Sequence, residues 1–145
     1  MSTVAKIMSK QPKTVGPGVS IVSAAKKMRT ARVGSLFVKK GKKLIGIFTD
    51  TDIVRLAVAT NKNLGKMTVE KIMTTPICTI EGSQSVDDAQ DMMGDLGVRH
   101  LAVTQAGEIV GVVSVRDVLM YFYMRYAQSK VSPEASYSEP KIFQD

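Results

Sequence analysis

Apolar residues early in the chain recur at helical intervals. Ile21, Ala24, Ala25 and Met28 follow Ser20. That spacing marks one buried helix face, and Ser is a favoured N-cap. Val86, Ala89, Met93 and Leu96 follow Ser85 in the same way, with Asp87 and Asp88 in the first turn, where acids suit the helix dipole. A short extended segment, Thr14-Val15 or Thr79-Ile80, precedes each predicted helix. Two apolar runs follow each helix: Ser35–Val38 and Leu44–Phe48, then His100–Val103 and Ile109–Val113. The turns between them, KKGKK at 39–43 and TQAGE at 104–108, predict hairpins. Another helix is expected after Thr49 and after Ser114, the latter running on through Leu119, Tyr123 and Tyr126.

These elements occur twice because the chain repeats itself. VAKIMSKQP at 4–12 echoes VEKIMTTP at 69–76, an offset of 65. The offset holds for Thr14 and Thr79, Ser20 and Ser85, Met28 and Met93, Leu36 and Leu101, Gly46 and Gly111, and Asp52 and Asp117. A constant offset over this span indicates tandem duplication. The expected organisation is a first repeat at 1–58, a connector at 59–68, a second repeat at 69–130 and a loose tail at 131–145. Each repeat reads β-α-β-β-α. Such a unit is too small to bury much surface alone, so the two are expected to pack by their sheets about a pseudo-twofold axis. That arrangement creates two equivalent clefts. The expected fold class is therefore α/β, of the α+β kind.

Composition narrows the function. The 145 residues are 44 % apolar and 23 % charged, ordinary globular values. No apolar run reaches the roughly 20 residues of a membrane-spanning helix, and the opening residues lack a signal-peptide core. A soluble, cytoplasmic protein is expected. A single cysteine, Cys78, excludes an intrachain disulfide and a multi-cysteine zinc site, and a single histidine, His100, argues against a His-based metal centre. One His, one Cys and no clustered carboxylates leave general acid–base chemistry without obvious players, so no enzymatic role and no required cofactor are expected. The net charge of +7 is unevenly spread: residues 1–72 carry 15 Lys/Arg and 3 Asp/Glu, and residues 73–145 carry 5 and 10. Three readings stand for the basic half: a solvated face, attraction to nucleic acid, or association with the acidic half of a second copy.

The distinctive pieces are GIFTDTD at 46–52 and GVVSVRD at 111–117. Both set a hydroxyl at a strand end and a carboxylate three residues on. One reading is structural: Thr49 and Ser114 are N-caps, and Asp52 and Asp117 are the acids of capping boxes. The other is functional: a helix N-terminus suits a phosphate, the hydroxyl adds a donor, and the carboxylate can accept both hydroxyls of a ribose. The same spacing in each repeat strengthens the second reading.

With IM…P…T early, RVGSLFV or VRHLAV midway and G-hydrophobic-hydrophobic-[ST]-x-x-D late, the chain resembles a pair of CBS domains over about residues 4–127. The resemblance implies a regulatory module that binds AMP, ADP, ATP or S-adenosylmethionine between the repeats. Carried over, it implies a site A with Thr14, Val19 and Val33 around the adenine and Ser114 and Asp117 at the phosphate end and ribose. Arg99 and His100 match family positions that reach phosphate. Site B would use Thr79, Gln84 and Val98 with Thr49 and Asp52. The site B counterparts of Arg99 and His100 are Gly34 and Ser35. Charge-assisted hydrogen bonds are roughly twice as strong as neutral ones, so site A is expected to prefer nucleotides and site B to be weak, empty or suited to a ligand with less negative charge. Departures from the family pattern are Phe37 and Ala102, where proline is frequent, and the polar Gln84.

Such modules usually pair, so a homodimer is expected, with the charge split favouring an antiparallel arrangement. Met120–Tyr126, rich in Met and Tyr, is the interface candidate. The regulated partner is either a separate effector protein or another copy of this chain. The KKGKK turn reads as a solvated hairpin tip, with a nucleic-acid finger as the alternative. Cys78, among apolar neighbours, reads as core packing.

Overall fold

The computed structural model describes residues 2–61 and 63–129. Lys130 and the expected tail at 131–145 lie outside the described residues.

The long helices start where the spacing predicts. Helix α2 (Ile21–Ala31) is capped by Ser20, whose side chain accepts the Ser23 amide. Helix α4 (Val86–Leu96) begins with a capping box between Ser85 and Asp88. Both end in the left-handed region, at Arg32 (φ 55°) and at its repeat equivalent Gly97 (φ 66°). Glycine adopts that conformation without a Cβ penalty; arginine does not.

The strands form two sheets. The first, in order β2-β3-β4, joins β2 (Thr14–Val15), β3 (Ser35–Lys40) and β4 (Lys43–Thr49). In the second, β5 (Thr79–Glu81), β6 (His100–Gln105) and β7 (Glu108–Ser114) pair alike, with β1 (Ser9–Lys10) added outside β7. Equivalent bonds recur at the offset of 65. Phe37 N–H donates to Lys13 C=O and Ala102 N–H to Cys78 C=O, both at 2.9 Å.

Strand alternation sorts the side chains. Leu36, Val38 and Phe48 turn toward α2, and Leu101, Val103 and Val113 toward α4. The opposite faces meet between the sheets at Phe37, Ile47 and Ala102, with Leu44, Ile77, Ile109 and Val112 around them. Phe37 and Ala102 are repeat equivalents, one large and one small. This pairing lets a twofold interface close at interior density.

The N-terminal segments cross over. Helix α1 (Val4–Ile7) packs in the second repeat's core, where Val4 is fully buried. Strand β1 pairs antiparallel with β7, Lys10 opposite Gly111. The 3-10 turn Val69–Lys71, the equivalent of α1, packs in the first repeat's core through Val69 and Ile72, and Thr74 bridges to Ile47. Val4 N–H donates to Gln84 C=O at 2.8 Å and Val69 N–H to Val19 C=O at 2.9 Å. Each core is thus completed by a strap from the other repeat. Met8 and Met73 lie over Gly111 and Gly46, so close that a Cβ would stand 2.7 and 2.6 Å from their sulfurs.

The helices after the hairpins differ. Helix α5 (Val115–Ser129) is a regular fifteen-residue helix. Its counterpart is a single turn, α3 (Asp50–Asp52), that loosens into a π-helical stretch, Ile53–Val58. Both leave apolar side chains in solvent: Val54 is 61 % exposed and its equivalent Leu119 63 %.

Candidate functional site

The sequence's structural reading of the two late motifs is realised. Asp52 Oδ2 accepts the Thr49 amide at 2.9 Å, and Thr49 Oγ1 accepts the Asp52 amide at 3.3 Å. Asp117 Oδ2 accepts the Ser114 amide at 2.8 Å, and Ser114 Oγ accepts the Asp117 amide at 3.2 Å. The boxes hold each hydroxyl and carboxylate rigidly at the end of β4 or β7, beside the edge where the sheets face each other.

The residues expected at site A lie on both repeats, and of them only Val33 lines the cavity between the sheets. His100 opens β6 opposite Ser114 in register, and Asp117 lies near enough to act on its charge. Arg99 precedes it and is exposed. Val33 lines a cavity of about 140 Å³ between the sheets, with Ser35, Phe37 and Lys10–Lys13 from its own half and Val112 from β7. Ser114 lies two residues beyond Val112, on the same side of the strand by alternation. Thr14 lines an adjoining groove that shares Pro12 with this cavity, and Lys27 donates to the Thr14 carbonyl. Val19 lines neither space; its carbonyl receives the Val69 amide.

At site B, Gln84 and Asp52 are committed within the fold. Thr79 is exposed on β5. Gln84 is committed twice: its side-chain oxygen accepts the Glu81 amide at 3.1 Å and its carbonyl the Val4 amide. Val98 is half-buried and donates its amide to Met93 C=O. Asp52 is buried, 8 % exposed. Burial pushes its carboxyl above the ordinary range, against hydrogen bonds from Thr49 and Thr74 and with a contribution from Asp50.

Two acidic-site neighbours escape a reading of the sequence. Thr74 reaches Asp52 from the opposite repeat. Asp50 faces His100 across Gly34: a Cβ on that glycine would stand 3.3 Å from Asp50 Oδ2 and 3.4 Å from His100 Nε2. Burial pushes the His100 imidazole below its ordinary value; Asp50, Asp117 and Asp52 oppose this and Arg99 adds to it. The signal for Asp50 was a break in the repeat, since its equivalent is Val115. Cys78 is half-buried and packs against the second core. Among the described residues no group of three His, Cys, Asp or Glu could hold a metal, and no helix is long and apolar enough to cross a membrane.

Known proteins share this arrangement. The family model for the CBS domain matches residues 4–59 and again 69–123. An uncharacterized 17.7 kDa protein of Acidianus ambivalens is 36 % identical over 117 residues, 79 % of this chain and 70 % of that protein. A CBS-domain protein of Burkholderia ambifaria superposes with a TM-score of 0.82 at 29 % identity, covering 90 % of this chain and 100 % of that one. The CBS domain pair of protein MJ0100, solved with 5'-methylthioadenosine and S-adenosyl-L-methionine, superposes with a TM-score of 0.77 at 30 % identity over 86 % of this chain and 98 % of that one. Two matched repeats, two facing sheets and crossed straps make this chain a tandem pair in the CBS-domain family.

Proposed function

We propose that the chain is a non-catalytic regulatory module that senses an adenosine-containing ligand between its repeats. The observation that carries this reading is the cross-repeat grouping of Val33 and Val112 in one cavity, with Ser114, Asp117 and His100 at the adjoining strand ends. About 140 Å³ is below the roughly 300 Å³ of ordinary ligand pockets. The cavity therefore suits the adenine, with ribose and phosphate on the rim beside Asp117 and the basic pair Arg99-His100. Site B has Gly34 and Ser35 in place of that pair and gains the carboxylate of Asp50. It suits an uncharged or cationic adenosyl group, as in the methylthioadenosine and S-adenosylmethionine of the MJ0100 complex.

Thermal unfolding against AMP, ADP, ATP, S-adenosylmethionine, methylthioadenosine, GTP and phosphate tests the reading. A ligand at 100 times its dissociation constant stabilises by about 2.7 kcal/mol. Asp117→Ala should weaken AMP by about 10- to 150-fold, the loss of one charge-assisted hydrogen bond, and leave methylthioadenosine at site B unchanged. Equal AMP binding by Asp117→Ala and the parent would refute the site A assignment.

The module is further proposed to act as an antiparallel homodimer. Leu119, Met120, Tyr123 and Met124 form an exposed apolar face on α5. Helix α4 exposes Asp87, Asp91 and Asp95 at successive turns, where α2 exposes Lys26, Lys27 and Arg29. A head-to-tail pair sets one against the other, and complementary charge fixes that orientation.

A further inference from the structure

The lysines of the first hairpin line a groove. Lys39, Lys42 and Lys43 stand along a space of about 700 Å³ bounded on the far side by Gly107 and Glu108 of the second hairpin. Its walls include the half-buried apolar side chains of Pro12, Leu44 and Ile109. Pro12 also lines the smaller cavity, whose lining adds Lys10 and Lys13. Five lysines therefore line two neighbouring spaces that share Pro12.

The duplicated fold supplies an internal control. The equivalents of Lys10, Lys13, Lys39, Lys42 and Lys43 are Thr75, Cys78, Thr104, Gly107 and Glu108. Thr14, Gly46 and Asp52 keep their residue at the offset of 65; these five lysines do not, and neither do the exposed Lys26, Lys27 and Arg29 of α2. What bears on the groove is its two walls: lysines at 39, 42 and 43 on one, and Gly107 and Glu108 at the positions equivalent to Lys42 and Lys43 on the other.

We infer that this groove binds the phosphodiester backbone of single-stranded nucleic acid, without base preference. Lysine ammoniums are point charges suited to phosphates that vary in orientation. The apolar strip of Pro12, Leu44 and Ile109 gives sugars and bases a surface, which a bare polyphosphate or an all-acidic peptide would leave uncovered. No aromatic side chain lines the groove, so stacking and the base preferences that come with it are missing. The groove adjoins the cavity assigned above to the adenine, sharing Pro12 with it and including Thr14 in its own lining; the variants at Lys39, Lys42 and Lys43 test the part that lies outside that cavity.

The experiment is fluorescence anisotropy of the full chain with a labelled oligothymidylate of roughly 16 nucleotides, long enough for one binding site of this kind, across a salt series. Five lysine–phosphate contacts predict a log–log salt slope of about −3.5 and a loss of about 100-fold between 50 and 200 mM salt. The triple variant Lys39→Gln, Lys42→Gln, Lys43→Gln should fall to a slope of about −1.4. The triple variant Lys6→Gln, Lys66→Gln, Lys71→Gln makes the same change in net charge at exposed lysines that line neither space, and should bind as the parent does. Glu108→Gln removes a carboxylate from the groove and should tighten binding, so a folding defect in the first triple variant cannot decide the matter alone. Absence of binding at low salt overturns the inference. So does equal weakening by both triple variants, or displacement of the oligonucleotide by polyglutamate or inorganic polyphosphate at lower charge concentration than by unlabelled single strand.

Discussion

Replacing Gly111 by alanine tests how tightly the first strap is clamped to the second sheet. A Cβ there would stand 2.7 Å from the Ser9 carbonyl oxygen and 2.7 Å from Met8 Sδ, where ordinary contact begins at 3.4 Å. The methionine can swing away, but the carbonyl belongs to β1, which pairs with β7 at this point. The strand must therefore retreat by most of an ångström. Overpacking of this kind costs about 1–3 kcal/mol. Complete release of the strap would expose Val4, whose burial is worth about 1.5–3 kcal/mol, so the two estimates bound the same range. At Gly46 the close contacts are to Met73 Sδ at 2.6 Å and Cγ at 3.0 Å, with backbone Thr74 O at 3.1 Å. Most of that clash is with a flexible side chain, so Gly46→Ala falls at the low end of the range. Gly94, inside α4, has nothing within 4 Å of its would-be Cβ, and alanine there should stabilise by about 0.5–1 kcal/mol. Thermal melts of the three variants should therefore order Gly94→Ala above the parent, then Gly46→Ala, then Gly111→Ala, at about 4 °C per kcal/mol. A Gly111→Ala protein that melts with the parent, while Gly94→Ala rises as expected, would refute the clamp. The strap leads directly into Lys10–Lys13, which line the smaller cavity. The same variant should consequently weaken AMP.

Four further outcomes are expected. The fold holds His100 below its ordinary value of 6.5, so the unfolded chain takes up a proton first. Stability should then fall as pH drops from about 6.5 toward the lowered native pKa, and a His100→Gln variant should show a flatter melting profile in that window. An anion placed beside His100 acts in the opposite sense: AMP should bind with proton uptake at pH values around and just above the lowered native pKa, read by calorimetry in two buffers of different ionisation enthalpy, and His100→Gln should abolish the uptake. Arg32→Gly relieves a left-handed residue and should raise stability by about 1–2 kcal/mol in denaturant melts. If the proposed homodimer forms through α5, light scattering should read a dimer for the parent and a monomer for Leu119→Glu combined with Tyr123→Glu, with no loss of helix signal.

The duplication, helix starts and hairpins were legible because each rests on local rules. Ser20 and Ser85 cap, apolar residues recur at helical spacing, and the offset of 65 cross-checks both halves. The capping-box reading of Thr49 and Asp52 was likewise local. The crossed straps were not legible. VAKIM and VEKIM announce equivalent segments, but either core accepts either segment on hydrophobicity alone, and only chain geometry decides. Asp50 escaped for a related reason: its importance lies in facing His100, half a chain away. The lysine turn was readable as charged but not as the wall of a groove, because the opposite wall at Gly107 and Glu108 comes from the other repeat.

The crossed straps also bear on how such a chain is assembled from parts. Cutting at the connector would separate Val4 from the core it fills and Val69 from the other, leaving two fragments each with a hole and a dangling plug. A lone repeat of this kind completes itself only by trading plugs with a twin. The tandem chain is then two interlocked partners joined end to end, and covalent linkage has turned a concentration-dependent exchange into an internal one.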